Sequence, residues 1–396
     1  MRVKLKDAFT LQMGKTPARA DLSLWGGNNK WISIADIGSA GKYISATKEC
    51  ITDEGVSRSG IKVVPKGTVI MSFKLSIGKT AIVSEDMYTN EAIMAFIDNG
   101  TYCVDPNYLY HLCCGTDWTQ GGNKAVMGLT LNKANLSEIE IELPSIEKQR
   151  EIAAVLDQLD GIIEKRHDEL NAIEQLVKSR FIELFGDLAS PECKWPKEKL
   201  VDACADSDDI KCGPFGTQLS KDEYQSEGIA VWEIPQINSR FTTIPTHYLS
   251  ESKAKQLEAY SIKAGDIAMS RKGNVGKCAV FPADYEDGII HSDVLRIRVD
   301  GKRVLPIFMM HQLHYSGAVQ HQIELVSSGA IMAGINVTKL KQIFVHIPPI
   351  ELQSRFVTFV EQTDKSKYYS SISLVICQSM ASLFEQEWIK CQTLNS

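Results

Sequence analysis

The nine residues Ser72 to Thr80, SFKLSIGKT, end in Gly78, Lys79 and Thr80, the residue types that close a phosphate-cradling P-loop. In such a loop the lysine reaches nucleotide phosphates and the hydroxyl binds Mg²⁺. A glycine five places before Gly78 would have to let the backbone turn tightly enough to aim its N–H groups at phosphate oxygens. Position 73 is phenylalanine. A second stretch, Ser270 to Cys278, reads SRKGNVGKC, with Arg271 in the glycine position and Cys278 in place of the hydroxyl. The same frame therefore occurs twice without the chemistry of a nucleotide site, and it needs another explanation.

The elements around the two stretches repeat as well. Lys66–Val83 and Ala264–Phe281 align without a gap at an offset of 198, with seven identities in eighteen positions. At an offset of 204, Asn132, Leu136, Ile139, Pro144, Glu147, Gln149 and Asp160 match Asn336, Leu340, Ile343, Pro348, Glu351, Gln353 and Asp364. The order of elements is kept, so the chain is a tandem duplication of a unit of about 200 residues, too long and too seldom repeated for a solenoid. In each unit, Gly, Pro and Asn first divide short β-branched runs such as WISIADI (31–37), TVIMSF, KCAVF and VLRIRV (294–299), which predict strands in a sheet-rich mixed α/β domain.

The periodicity then changes. From Leu143 a proline opens a helix, Glu147 suits its first-turn dipole, and Gly186 closes it. Ile152, Leu156, Leu159, Ile163, Leu170, Ile173, Val177 and Leu184 fall on alternating spacings of three and four, interrupted by Arg166 and Arg180. About 39 residues make a rod of roughly 58 Å, whose apolar stripe calls for a partner helix. The matching segment begins at Pro349, where Phe356 and Val360 keep the register. Thr363, Lys367 and Ser370 then break it, and an apolar face resumes on Tyr369, Ile372, Ile376, Met380 and Leu383. The expected fold is α+β: two similar mixed α/β, sheet-rich domains (1–142 and 195–345) joined by two long antiparallel helices (143–187 and 346–396), a pseudo-two-fold tandem repeat. The bland alternative is two ordinary core helices of adjacent domains.

Composition excludes more than it assigns. The 396 residues are 44% hydrophobic and 23% charged, with no run of about 20 apolar residues to span a bilayer and no signal-peptide pattern at the start. The expected location is cytoplasmic. Ten cysteines include no CxxC pair, so buried reduced thiols are the expectation and no metal site is assigned. His311 and His314 share a helix face and His321 follows, but no carboxylate stands near them in sequence before Glu324. DPNY (Asp105–Tyr108) lacks the second proline of an amino-methyltransferase tetrapeptide, no glycine-rich methyl-donor loop precedes it, and there is no GxSxG elbow or nuclease carboxylate set. No catalytic centre and no cofactor are expected in this chain. The net charge of −6 speaks against a uniformly basic nucleic-acid coat, so any such surface must be local.

A duplicated unit of this kind resembles the specificity subunit of type I restriction-modification enzymes. The residues that carry the likeness are GKTP (Gly14–Pro17) with GPFG (Gly213–Gly216), WISIADI with VWEIPQI (231–237), the two glycine- and lysine-bearing frames, TNEAIMAF (89–96), LPSIEKQREIAAVLDQLD, and LFGD after the first helix. The resemblance implies two target-recognition domains that read a bipartite asymmetric site in double-stranded DNA. It also implies helices that set the spacing and dock two methyltransferase subunits, with restriction (translocase) subunits joining afterwards. S-adenosylmethionine, ATP and Mg²⁺ would be used by those partners, with no membrane and no small-molecule substrate for this chain. On this footing Lys74, Gly78 and Lys79, with Arg271, Lys272, Gly276 and Lys277, become candidates for gripping the DNA backbone, where glycine permits close approach and cations offset phosphate charge. Lys15 and Lys211, beside the GKTP and GPFG loops, join them. The alternative for these turns is a β-hairpin with solvated lysines. Two other readings of the whole chain stand beside this one, a divergent DNA nuclease or methyltransferase, and a protein-binding helical scaffold.

Overall fold

A computed structural model describes residues 1–74, 76–118, 131–190, 192–327 and 334–390, with side chains to residue 383. Leu75 of the opening stretch, Cys391 and the end of the 346–396 segment lie outside the described residues. By compactness the chain divides into two units, Met1–Asp168 with Ser371–Ser396, and Glu169–Ser370. Each unit contains one sheet-rich body and parts of both long helices, α1 (Ile146–Phe185) and α2 (Ile350–Lys390).

In the first unit, strands run in the order Phe9–Met13, Ile93–Asp98, Val69–Ser72, Thr80–Val83, Tyr43–Ile44, and a second sheet has the order Glu49–Ile51, Trp25–Ile32, Tyr88–Thr89. The second unit repeats the plan. One sheet has the order Ile210–Cys212, Val294–Ile297, Ile267–Ser270, Cys278–Val280, and the other His247–Leu249, Ile229–Trp232, Gly288–Ile290, Ser261–Ile262. The duplication extends to strand direction, since Trp31 and Ile32 pair in parallel with Tyr88 and Thr89, as Val231 and Trp232 do with Ile289 and Ile290. Central strands such as Val69–Ser72 and Ile267–Ser270 are buried on both faces, which is why they read as continuous apolar runs.

The segment WISIADI differs from the strand expectation, and its counterpart VWEIPQI follows the same course. The strands stop at Ile32 and Trp232, and helical turns Ile34–Ser39 and Ile234–Asn238 follow. Ser33 and Asp36 form a capping box, Asp36 Oδ2 accepting from the Ser33 N–H at 2.8 Å and Ser33 Oγ from the Asp36 N–H at 3.3 Å. In the second copy Gln236 Oε1 accepts from the Glu233 N–H at 3.1 Å. A local cap prevails over β-branched propensity where the strand ends.

The matched residues of the 204 offset have structural equivalents. Asn132 and Asn336 each cap a short helix, accepting from the N–H groups of Asn135 and Lys339, both at 2.8 Å. Gln149 and Gln353, both buried, fasten the first turn of each long helix to its body. Gln149 accepts from the Asp105 N–H (2.9 Å) and donates to the carbonyls of Cys103 and Pro144. Gln353 accepts from the Leu305 N–H (2.8 Å) and donates to the carbonyls of Arg303 and Pro348. The glutamine of the PxIExQ pattern is thus a clamp between helix and sheet body.

The helix seam is used in parts. Ile152 and Leu156 are buried, and Leu159 partly so, against Leu5, Tyr108, Leu112 and Cys113 of the first body, so this end of the stripe packs on its own domain where a partner helix was expected. Ile163, Leu170 and Ile173 are half-buried. Val177, with Leu184 beside it, joins the core of the second unit together with Phe356 and Val360. There α1 and α2 run antiparallel: Phe181 meets Phe356 with ring centroids 5.3 Å apart, and Arg180 lies 5.7 Å over Phe359. Farther along, burial and Arg240 push the Lys367 ammonium below its usual range, and the nearby Glu174 carboxylate partly offsets this. As one index falls, the other rises. Phe181 and Phe185, absent from the heptad reading, are 2% and 3% exposed and contribute about 2–3 kcal/mol each by burial. The face expected to resume on α2 is left largely uncovered by the described residues: Tyr369, Ile372, Ile376, Met380 and Leu383 are 72%, 40%, 52%, 53% and 60% exposed.

Candidate nucleic-acid interface

The opening stretch is a hairpin turn. Val69–Ser72 and Thr80–Val83 pair antiparallel, and the chain reverses through Gly78 at φ 90°, whose N–H donates to the Ser72 carbonyl at 2.9 Å. The buried Ser72 hydroxyl accepts from the Lys79 N–H at 3.0 Å and donates to the Ser76 carbonyl. In the second copy the Gly276 N–H (φ 86°) donates to the Ser270 carbonyl at 3.1 Å, and Gly273 is also left-handed at φ 66°. The glycines serve the turn, because a side chain at such φ is strained. A P-loop leads from strand into helix, and these turns lead from strand into strand.

The cations on the two hairpins are not equivalent. Lys79 is exposed with its ammonium against Gly38, and Lys74, half-buried, lies 5.2 Å over the Phe73 ring. On the second hairpin Lys277 is exposed, whereas Lys272 pairs with Asp293 at 2.7 Å. Arg271 is tied inward. Its Nε donates to the Ile335 carbonyl (3.1 Å) and its Nη1 to the Ser292 carbonyl (3.2 Å), and its guanidinium covers Phe215 at 5.0 Å. Arg271 therefore fastens the hairpin to the GPFG loop, and its donors are largely engaged within the domain.

The GKTP and GPFG loops are pinned by close backbone approach. A Cβ on Gly14 would stand 2.0 Å from the Thr89 carbonyl oxygen, and one on Gly213 would stand 2.3 Å from those of Ile290 and His291. Lys15 is exposed, donating from Nζ to the Ser59 carbonyl at 3.2 Å, and its own carbonyl accepts from Trp31 Nε1 at 3.0 Å. Lys211 is half-buried, 3.5 Å from Asp208 and 5.7 Å over Tyr260.

Beside GPFG opens a cleft of about 720 Å³ lined among others by Lys221, Tyr224, Glu233, His247 and Ser292. Glu233 holds His247 Nδ1 at 2.8 Å, and the His247 ring lies 4.6 Å from that of Tyr224. Side-chain donors and a carboxylate acceptor are groups of the kind that pair with base edges. In the first unit, Arg19 stacks 3.9 Å over Trp25 and 4.8 Å over Trp31 while pairing with Glu49. Neither group was legible in sequence, since each joins residues from separate strands. The histidine series also separates. His311 is buried, while His321 is exposed 4.0 Å from Glu324, and among the described residues no three His, Cys, Asp or Glu side chains assemble as a metal site. No helix among them is long and apolar enough to cross a membrane.

Comparison with known proteins follows the duplication. The family described as type I restriction modification DNA specificity domain matches residues 1–175 and again 210–369. The type I restriction enzyme MjaIX specificity subunit of Methanocaldococcus jannaschii is 30% identical over 188 residues, 46% of this chain and 43% of that protein. The EcoR124I/EcoR124II specificity subunit of Escherichia coli is 25% identical over 157 residues, 38% of each chain. The matched region thus spans less than half the length of either relative. In fold, a chain from a study of complex assembly and conformational transition of the type I R-M system covers 98% of this chain and 97% of its own, with a TM-score of 0.59 and 17% identity. The S subunit from M. genitalium covers 98% and 95%, with a TM-score of 0.58 and 13% identity. With each sheet body matched in turn and the same order of elements in both, the chain belongs to the type I restriction modification DNA specificity domain family.

Proposed function

We propose that the chain is the DNA-recognition and assembly subunit of a type I restriction-modification complex, non-catalytic by itself. Each sheet body reads one part of a bipartite asymmetric target in double-stranded DNA. Two methyltransferase subunits, and then restriction subunits, supply the chemistry with S-adenosylmethionine, ATP and Mg²⁺. The observation that carries this reading is the duplication itself: one scaffold occurs twice, down to the Gln149 and Gln353 clamps, with unlike groups beside its GKTP and GPFG loops. A shared frame with divergent surfaces suits a reader of two unlike half-sites, because scaffold and specificity are separable. The apolar face of α2 from Tyr369 to Leu383 supports partner docking, since exposed apolar stripes of this length are unusual on a surface that stays bare.

The test is to map methylated motifs in cells expressing the chain with its methyltransferase partner, before and after exchanging residues 195–345 for those of a relative. One half of the motif is expected to change and the other to stay. A wholly new motif, or none, overturns the two-reader scheme. A further expectation concerns Lys74 and Lys79. Replacing both with glutamine should weaken binding uniformly across sequences and lower the slope of log K against log salt by about 2, roughly one per phosphate contact. An unchanged slope, measured by fluorescence anisotropy over a salt series, removes these lysines from the backbone contact.

A further inference from the structure

His311 has no role in the scheme so far, and its surroundings call for one. It is 5% exposed, and neither ring nitrogen has a hydrogen-bond partner among the described residues. A neutral imidazole carries one donor and one acceptor, and burying both unpaired is unfavourable. The ring stacks on Tyr315 with centroids 5.2 Å apart and meets the edge of Phe356 at 5.2 Å. It lines a cleft of about 470 Å³ in the second unit, whose charged lining groups are Arg240 and Asp364 and whose apolar walls include Phe281, Met310 and Val360.

Arg240 is delivered to this cleft by a strained turn. Arg240 and Phe241 are the two non-glycine residues with positive φ among those described, at 53° and 63°, the left-handed region that a Cβ disfavours. The surroundings hold them there. Phe241 is 1% exposed, its N–H donates to the Gln236 carbonyl at 2.6 Å, and its carbonyl accepts from Tyr285 Oη at 2.6 Å. Residues held in such conformations cluster at active sites, ligand clamps and switch regions.

The first unit shows what such a histidine normally meets. His111 stands two hundred residues earlier in the matching helix, with Nε2 2.7 Å from Asp157 Oδ1 and Nδ1 4.0 Å from Asp160. Asp157 also pairs with Lys42, so one carboxylate bridges an imidazole and a cation. At the repeat offset of 204, Asp160 becomes Asp364 and is kept, while Asp157 becomes Glu361, which is exposed and does not line the cleft. Cations gather around the vacated position. Burial, then Arg240, His314 and Lys367, push the His311 imidazolium down to about 3, and Lys178 and Lys277 act on His314. On the acidic side stand Asp364, which acts on Lys367, and Glu174, 3.5 Å from Arg240.

We propose that this cleft binds a carboxylate whose oxygens accept from a His311 ring N–H and from the Arg240 guanidinium, restoring the bridge that Asp157 makes in the first unit. The apolar walls suit a short hydrocarbon body behind the carboxylate, supplied by a free organic acid or by an acidic side chain of a bound polypeptide. The test uses the full chain labelled with ¹⁵N-histidine, titrated with propionate against chloride at matched ionic strength. Propionate is expected to move the His311 ring nitrogens saturably in the millimolar range. Arg240→Gln should weaken binding at least about tenfold, the worth of one charge-assisted hydrogen bond, and Arg240→Lys should restore most of it in a chain of unchanged fold. Absence of saturation, or equal binding by the Arg240→Gln chain, overturns the proposal. Repeating the titration in the assembled complex separates the sources, and only this arm rests on the proposed assembly. Propionate excluded by assembly identifies a partner's acidic side chain as the occupant, and propionate still bound identifies a free acid.

Discussion

Gln353→Leu is expected to destabilise the second unit by about 3–4 kcal/mol, a large effect for one side chain of nearly conserved volume. The reason is what it leaves behind. The Gln353 amide is fully buried, accepts from the Leu305 N–H and donates to the carbonyls of Arg303 and Pro348 at 2.8, 3.0 and 2.7 Å. Leucine fills the space but pairs with none of them, and each buried backbone group left alone costs about 1–3 kcal/mol. Part is recovered as water enters and the first turn of α2 frays. Hydrogen exchange gives a local readout. The Leu305 amide should exchange much faster in Gln353→Leu, and the Asp105 amide, held by Gln149 in the first unit, should respond only to Gln149→Leu. Urea unfolding that leaves Gln353→Leu within about 0.5 kcal/mol of the parent would show that the clamp contributes specificity of packing and little stability.

Gly213→Ala should be nearly as severe, for a steric reason. Its added Cβ would lie 2.3 Å from two backbone carbonyl oxygens, and neither Ile290 nor His291 can retreat without breaking the parallel pairing with Val231 and Trp232. Gly14→Ala meets the same obstacle at 2.0 Å from the Thr89 carbonyl oxygen in the first unit. About 3 kcal/mol is expected in each case, the upper range for overpacking. Gly216→Ala is the internal control: it lies in the same GPFG loop, has no heavy atom within 4 Å of its added Cβ, and adopts an ordinary backbone conformation. Equal thermal unfolding of Gly213→Ala and Gly216→Ala would mean the loop is free to move. If the loop is pinned, Gly14→Ala should also displace Lys15 and weaken DNA binding, while Gly216→Ala leaves the first body untouched.

The duplication, the sheet-rich bodies, the two long helices and the hairpin nature of SFKLSIGKT were legible because each is written in local pattern: a repeat offset, a period of two or of three to four, a glycine at a turn, a proline at a helix start. Even there, local chemistry was underread where a capping box ended the WISIADI strand at Ile32 and turned the rest into helix. The candidate site was less legible. Lys74 and Lys272 occupy the same position of the repeated frame, yet Lys272 pairs with Asp293 while Lys74 lies over the Phe73 ring. Nothing near either residue in sequence distinguishes them.

The sequence by itself thus determined which elements form and that they form twice, because periodicity and turn chemistry act over a few residues. Only the tertiary structure decided what each side chain does, because burial and pairing depend on neighbours brought from far along the chain. The seam residues Ile152 and Leu156 pack onto their own sheet body, and the face from Tyr369 to Leu383 stays open. His111 meets Asp157 across 46 residues, whereas His311, its copy, meets no carboxylate at hydrogen-bonding distance among the described residues and lines a cleft.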